Sequence, residues 1–219
     1  MKTKDLYITI NFKLIIINQM ETTSPAKAIL KILLKDFTIS PTITSLSCEV
    51  GMSRVGMWKI LKRLEKERLV TLSPIGAGKT SAYTVALNWN NPLTEKSIAL
   101  SLAEDALNNQ RWLTTFADLE NMVDFLMIYG SIIHSPKNAG DIDLLGVVSN
   151  KRKFLDIDDS VRNIQKTQLK KIHLLNFTPS EFKRELEKPN KSFVDSLKKG
   201  VVLFGQEKFI KFVRSINKK

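Results

Sequence analysis

The chain has 219 residues, 43% of them hydrophobic and 26% charged, with a mean hydropathy of −0.10 and a formal net charge of +12. That is ordinary globular composition with material for two modest domains, which excludes a disordered or fibrous chain. A single cysteine, Cys48, and two histidines, His134 and His173, exclude an intramolecular disulfide, a cysteine-cluster zinc site and a His-rich metal site, and they point to a reducing, cytoplasmic setting.

The positive charge is unevenly placed. Residues 21–99 and 151–219 are basic, whereas residues 100–150 are acidic. Two basic flanks around an acidic centre suit a protein that meets polyanions, either nucleic acid or nucleotide phosphates. At the N-terminus, residues 7–17 are apolar and follow two lysines. The segment is too short and too polar to span a membrane, and no small-residue cleavage site follows it. Its alternation and β-branched content predict a strand. Residues 1–19 therefore read either as an extra edge strand or as an over-called start of the reading frame.

Ser24 followed by Pro25 opens a helix over residues 26–35, because Ser suits the N-cap and Pro the first turn. A short helix over 43–50 is closed by Gly51. A third starts at Ser53 as N-cap and runs to about Arg68, with Met57, Ile60, Leu61 and Leu64 at helical spacing. Two helices joined by a tight turn make a helix-turn-helix pattern. Strands over 69–72 and 81–87 flank the Gly/Pro-rich stretch 73–80 and form a hairpin. Residues 51–70 resemble the recognition-helix segment of winged helix-turn-helix regulators, which usually carry Gly where Arg68 stands. With Met57, Leu61 and Leu64 facing a core, Ser53, Arg54, Trp58, Lys59, Lys62 and Arg63 are left to meet double-stranded DNA, with RNA or a docking protein as the alternative partner and a core position as the alternative for Trp58. Basic side chains there would take phosphates or guanine acceptors, and Lys79 at the hairpin tip would add a phosphate contact. Residues 75–80 end like a P-loop, but Ser73 replaces the required first Gly and a strand follows, so the hairpin reading stands.

Residues 88–92 break the pattern with three Asn and a Pro and mark a boundary. Residues 94–122 read as mostly helical, with Ile98, Leu102, Leu107, Leu113, Phe116, Leu119 and Met122 as apolar positions. This section would join two domains and could supply a homodimer interface. An apolar strand over 125–129 then runs into Gly130 and Ser131, and a second apolar run opens with Asp141 and Asp143. On a strand, residues two apart face one side, so these carboxylates lie side by side, about 6–7 Å apart at the backbone. Paired oxygen ligands suit Mg²⁺, and a Gly-Ser turn can bring backbone N–H groups and a hydroxyl to a phosphate. A helix is expected over 151–169, a strand over 171–177, a helix from 180 and further helical structure to the end. Asp156, Asp158 and Asp159 fall in the first of these helices and read as a solvated face.

The apolar strand, Gly130-Ser131 and the Asp141-Ile142-Asp143 strand, with residues 171–177, 178–182 and 200–205 behind them, resemble the DNA polymerase β-type nucleotidyltransferase superfamily, in particular its minimal members. The resemblance covers roughly residues 108–212. It implies that Asp141 and Asp143 are catalytic and hold Mg²⁺ or Mn²⁺, that Gly130 and Ser131 bind a nucleoside triphosphate, ATP above all, and that a nucleoside monophosphate passes to a hydroxyl. This chain departs from the family in three ways. The spacer is one residue short, Ile132, Ile133 and His134 replace a basic element, and His173 stands where the third carboxylate is expected. The pattern thus implies nucleotide binding more firmly than turnover.

The sequence therefore predicts a mixed α+β protein in four parts. These are an extension (1–21), a winged helix-turn-helix DNA-binding domain (22–90), a helical linker (91–107), and a small nucleotidyltransferase fold with a mixed sheet flanked by helices (108–219). This combination resembles a group of prokaryotic two-domain proteins, many archaeal. Related single-domain proteins act as antitoxins, some by adenylylating a partner toxin. The expected function is a DNA-binding transcriptional regulator that binds NTP and Mg²⁺. The alternative is an active nucleotidyltransferase acting on a protein or small-molecule hydroxyl, with a protein toxin as a further partner.

Overall fold

A computed structural model describes residues 24–36, 41–76, 82–188 and 190–216. The expected strand within residues 1–19 and the hairpin tip with Lys79 lie outside the described residues. The architecture is mixed α+β, with ten α-helices and two sheets among the described residues. No helix there is long and apolar enough to cross a membrane.

The N-terminal part starts with α1 (Pro25–Lys35), which turns Ile29, Leu30, Leu33 and Leu34 inward. Its Ser24 is the N-cap, but the hydroxyl makes no cap bond, so the start rests on Pro25 in the first turn. In α2 (Ile43–Val50), Thr42 and Ser45 form a capping box, and Gly51 at φ 69° ends the helix in the left-handed region. Ser53 then caps α3 (Arg54–Lys66), its hydroxyl accepting from the Gly56 N–H at 3.1 Å. Met57, Leu61 and Leu64 of α3 are buried, as their spacing predicts.

The helix stops two residues short of the expected Arg68. Arg68 has φ +57°, its N–H bonds to the Glu65 carbonyl, and the Leu69 N–H bonds to the Leu64 carbonyl. That pair of bonds is the Schellman termination, which favours Gly at the left-handed position. Strands β1 (Val70–Ile75) and β2 (Ala82–Leu87) then pair antiparallel from Val70↔Leu87 to Ile75↔Ala82.

Asn91 caps α4 (Pro92–Asn108), and α5 (Gln110–Thr115) with a 3₁₀ turn at Ala117–Leu119 completes the helical section. Leu107, read as one of its apolar positions, is 60% exposed. The second sheet contains β3 (Phe125–Tyr129), β4 (Asp141–Val147), β5 (Lys171–Phe177) and β6 (Val201–Phe204) in the order β5-β4-β3-β6. β3 runs antiparallel to β4 and β6, whereas β4 and β5 are parallel. Parallel neighbours need a crossover, and α7 (Lys153–Gln165) supplies it. The four-residue α6 (Ser131–His134) follows β3, while α8 (Pro179–Glu187), α9 (Lys191–Lys198) and α10 (Gln206–Ile216) complete the chain order. β6 interrupts the further helical structure expected to the end, within the 200–205 stretch that carries part of the resemblance. Val201 to Phe204 form a buried apolar run between Gly200 and Gly205, a pattern that suits a short core strand.

Every side chain of the central strand β3 is buried, so its alternate residues feed two cores. Leu126 and Ile128 join Leu144, Leu203, Trp112, Phe116 and Ile157 on one face. On the other face, Phe125, Met127 and Tyr129 join Leu145, Val147, Phe182 and Phe209, and this second core runs without a break into Ile29, Leu46, Met57 and Leu61. The N-terminal helices and the four-stranded sheet thus share one hydrophobic core. α4 carries that continuity by packing against α1, β6 and α10.

Candidate functional site

β4 places Asp141 and Asp143 on the face that carries Leu145 and Val147, while Ile142 turns into the opposite core. Both aspartates are half-buried, at the start of β4. The antiparallel register sets Tyr129 beside Asp143, and the parallel register sets His173 beside Asp143 and Lys171 beside Asp141. Between β3 and α6 stands Gly130 at φ 82° and ψ −163°, a conformation essentially restricted to glycine. The Asp143 Oδ2 lies 2.6 Å from where a Cβ at position 130 would stand, so the carboxylate occupies the space a side chain would need. Lys170 donates to the Ala139 carbonyl and ties the turn before Asp141 to the start of β5.

The His173 Nδ1 lies 3.4 Å from Asp141 Oδ2 and 3.7 Å from Asp143 Oδ1. Asp141, Asp143 and His173 each offer a ligand atom, and these atoms lie within 4.8 Å of one another. Burial and then the adjacent Asp141 charge push the Asp143 carboxyl above its usual pKa, while His173 pulls it the other way. The Tyr129 phenol, buried beside the pair, is pushed up to about 12 by burial and then by Asp143 and Asp141. It remains a neutral hydrogen-bond donor. Two crowded carboxylates that gain from a nearby positive charge are a suitable seat for a cation. The donor set is mixed, however, two carboxylate oxygens and one imidazole nitrogen, and therefore not the all-oxygen set that Mg²⁺ favours.

The structure brings Gly130, Asp141 and Asp143 together and sets exposed Ser131 at the first position of α6. Asp156, Asp158 and Asp159 are exposed on α7, where Asp158 accepts from the Asn176 side chain at 3.0 Å and Asp159 pairs with Arg162 at 2.9 Å. They form the solvated face that was expected. Sequence reasoning missed two groups. Tyr129 was visible only as the last residue of an apolar strand. Lys35 is 6% exposed, and its Nζ donates to the Gly200 carbonyl at 2.5 Å. Its ammonium is lowered to about 8 by burial, with Asp105 opposing that shift. It borders a cavity of about 370 Å³ between α1, α4 and the turn from α9 into β6. The one signal for it in the sequence is a lysine that closes the helix directly after the apolar pair Leu33 and Leu34.

A second surface lies on α3. Arg54, Lys59, Lys62 and Arg63 are exposed, opposite the buried Met57, Leu61 and Leu64. Lys62 is 2.6 Å from Glu65, and Arg63 is 3.8 Å from Glu67. Ser53 is exposed, but its hydroxyl is engaged as the helix cap. Trp58 is half-buried, neither outward nor core. Its ring lies 5.4 Å from Tyr83 of β2, and the Lys62 ammonium sits 5.2 Å above it. A cavity of about 550 Å³ opens between Thr42, the first turn of α3 and Tyr83, with Val55 66% exposed at its edge.

No protein-family model and no curated protein matches the chain. Among solved structures, the chain is similar to a mutant of ZitR from Lactococcus lactis in its apo form, with 15% identity, 75% of this chain and 95% of that chain covered, and a TM-score of 0.31. It is similar to the same degree to the adhesin competence repressor AdcR from Streptococcus pyogenes, with 15% identity, the same coverage and a TM-score of 0.33. Likeness at this level assigns neither fold nor activity.

Proposed function

We propose that this protein is a DNA-binding regulator of the winged helix-turn-helix kind, whose C-terminal part is a polymerase β-type nucleotidyltransferase domain used to bind a divalent cation and a nucleoside triphosphate. The observation that carries the DNA-binding reading is α3. It is capped at Ser53, held on one side by Met57, Leu61 and Leu64, and free to present Arg54 and Lys59 on the other. A helix of that kind, followed by an antiparallel hairpin, can lay its N-terminal turn in a major groove and its basic residues on phosphates. The nucleotide-binding reading is supported by the Gly130-Ser131 turn beside two carboxylates on the adjacent antiparallel strand. Turnover is left out of the proposal, because His173 occupies the register position opposite Asp143 where the resemblance calls for a third carboxylate.

Binding of the intact protein to duplex DNA by fluorescence anisotropy across a salt series tests this reading. Each phosphate neutralised contributes about 0.9 to the slope of log affinity against log salt. Arg54→Ala with Lys59→Ala should therefore lower the slope by about 2 if both residues meet phosphate. Absence of DNA binding at low salt would sink the regulator reading. Absence of ATP binding in the presence of Mn²⁺ would sink the nucleotide part alone.

A further inference from the structure

We infer that His173 is the third ligand of the Asp141–Asp143 site, and that the site takes a transition-metal dication of the manganese-to-zinc series in preference to Mg²⁺. The inference rests on the proposed reading only in that the aspartate pair holds a cation. It goes beyond that reading in naming the metal class and the ligand that selects it.

The spacing carries the argument. Metal–ligand bonds of about 2.0–2.2 Å put neighbouring ligand atoms about 2.8–3.6 Å apart, across octahedral to tetrahedral arrangements. The His173 Nδ1 lies 3.4 Å from one carboxylate and 3.7 Å from the other, and all three candidate atoms fall within 4.8 Å. The first separation already falls in that range, the second exceeds it by about 0.1 Å, and the carboxylate–carboxylate edge exceeds it by at most about 1.2 Å, which rotation of half-exposed side chains can supply. A proton-mediated pair looks different. A charge-assisted N–H to carboxylate bond is about 2.7–2.9 Å long, and a shared proton sits on one partner. Here the nitrogen stands between both aspartates, and both separations are longer than such a bond, which leaves room for a cation among the three groups.

Ligand chemistry then decides which cation. Imidazole nitrogen suits iron and zinc far better than Mg²⁺, which holds to oxygen ligands and its own waters, and Mn²⁺, though itself suited to oxygen, takes an imidazole more readily than Mg²⁺ does. Replacing a third carboxylate by a neutral imidazole also removes one negative charge from the site, which weakens a hard dication more than a borderline one. Gly130 fixes the geometry by leaving Asp143 the space that a Cβ would take. Lys171, across from Asp141 in the β4–β5 register, lowers the negative potential further.

The test uses the full chain, stripped with a chelator and carrying Cys48→Ser, which removes the lone thiol as a competing zinc ligand. Mn²⁺ alone is titrated by EPR, and Mg²⁺ is then added in excess. One equivalent of Mn²⁺ should bind, should resist a hundredfold excess of Mg²⁺, and should show the nitrogen coupling of a bound imidazole. His173→Ala should abolish that coupling and weaken Mn²⁺ and Zn²⁺ at least tenfold while leaving Mg²⁺ within twofold. His173→Asp should tighten Mg²⁺ at least tenfold and reverse the preference, and circular dichroism confirms that both variants fold. Equal affinity for Mg²⁺ and Mn²⁺, or Mn²⁺ binding without nitrogen coupling, overturns the inference and leaves the proposed cation site standing. Failure to bind any dication overturns both. Tight Mn²⁺ binding without ATP binding supports this inference and removes only the nucleotide part of the proposed function.

Discussion

Gly130→Ala probes the junction on which the candidate site depends. Gly130 sits at φ 82° and ψ −163°. Holding a residue with a Cβ in that region costs about 1–3 kcal/mol. The added methyl would also stand 2.6 Å from Asp143 Oδ2, well inside contact distance. The carboxylate is the far end of a side chain, so it can rotate away, and that rotation carries it out of its place beside His173. The variant should therefore lose about 2 kcal/mol of stability in urea unfolding, with an unchanged m-value, and most of its affinity for Mn²⁺. Gly140→Ala is the matched control. Its Cβ meets nothing within 4 Å, and it lies next to Asp141. It should leave both stability and metal affinity within error. A Gly130→Ala protein that keeps wild-type stability and metal affinity would refute the geometric argument, because neither the backbone conformation nor the close approach could then be real.

Arg68→Gly should stabilise the protein by about 0.5–1 kcal/mol in the same unfolding assay. It relieves a left-handed side chain worth about 1–2 kcal/mol, offset in part by the greater freedom of glycine in the unfolded chain. A loss of stability would mean that the Arg68 side chain holds something its exposure does not suggest. Leu93, Leu100 and Leu107 recur every seven residues along α4 and are 62%, 58% and 60% exposed, a stripe that a second copy of the chain could cover with its own. Leu100→Glu should shift a sedimenting dimer to monomer, whereas Leu155→Glu, on the exposed side of α7, should not; a wild-type monomer at working concentration would refute the pairing. Lys35 is depressed to about 8 by burial, so below that pH the folded protein bears the whole cost of a buried ammonium. Stability relative to Lys35→Met should therefore rise between about pH 8 and 10.5 by about 3 kcal/mol, as the unfolded chain keeps a proton that the folded one sheds. A flat difference across that window would show that Lys35 is hydrated.

What could be read from the sequence was local. Ser53 sits where chain chemistry puts a helix cap, and the i, i+4, i+7 spacing of Met57, Leu61 and Leu64 fixed which face of α3 was inward. The two-residue spacing of Asp141 and Asp143 fixed their common face, because strand period does not depend on tertiary context. What could not be read depends on who the neighbours are. β6 is four residues long, below the length at which a period can be told from chance, and it is a strand only because β3 offers it an edge. Arg68 breaks a rule about left-handed residues, and the Asn88 and Asn91 side chains donate to its carbonyl to hold it there. Lys35 ends an amphipathic helix, where lysine is ordinarily solvated. Its burial follows from the docking of α1 on the α9–β6 turn, a contact between residues 165 apart that no local pattern encodes.

That docking bears directly on whether a cation at the sheet can affect DNA binding at α3. A ligand shifts a protein's conformation only by its differential affinity for two states, and the effect must be reciprocal. The structure offers contiguous contact for it. Asp143 is paired with Tyr129, the Tyr129 Cβ lies 3.1 Å from where a side chain at Gly200 would stand, and the Gly200 carbonyl receives the Lys35 ammonium of α1. α1 shares its core with Met57 and Leu61 of α3. No step in this series is a flexible linker, so displacement of Asp143 on metal binding would have to be absorbed by packed side chains. Contiguity is not coupling, and the thermodynamic cycle decides between them. If Mn²⁺ changes DNA affinity by some factor, DNA must change Mn²⁺ affinity by the same factor, and Lys35→Met should reduce both equally. Equal DNA affinities with and without saturating Mn²⁺ would make the two surfaces independent neighbours on one core.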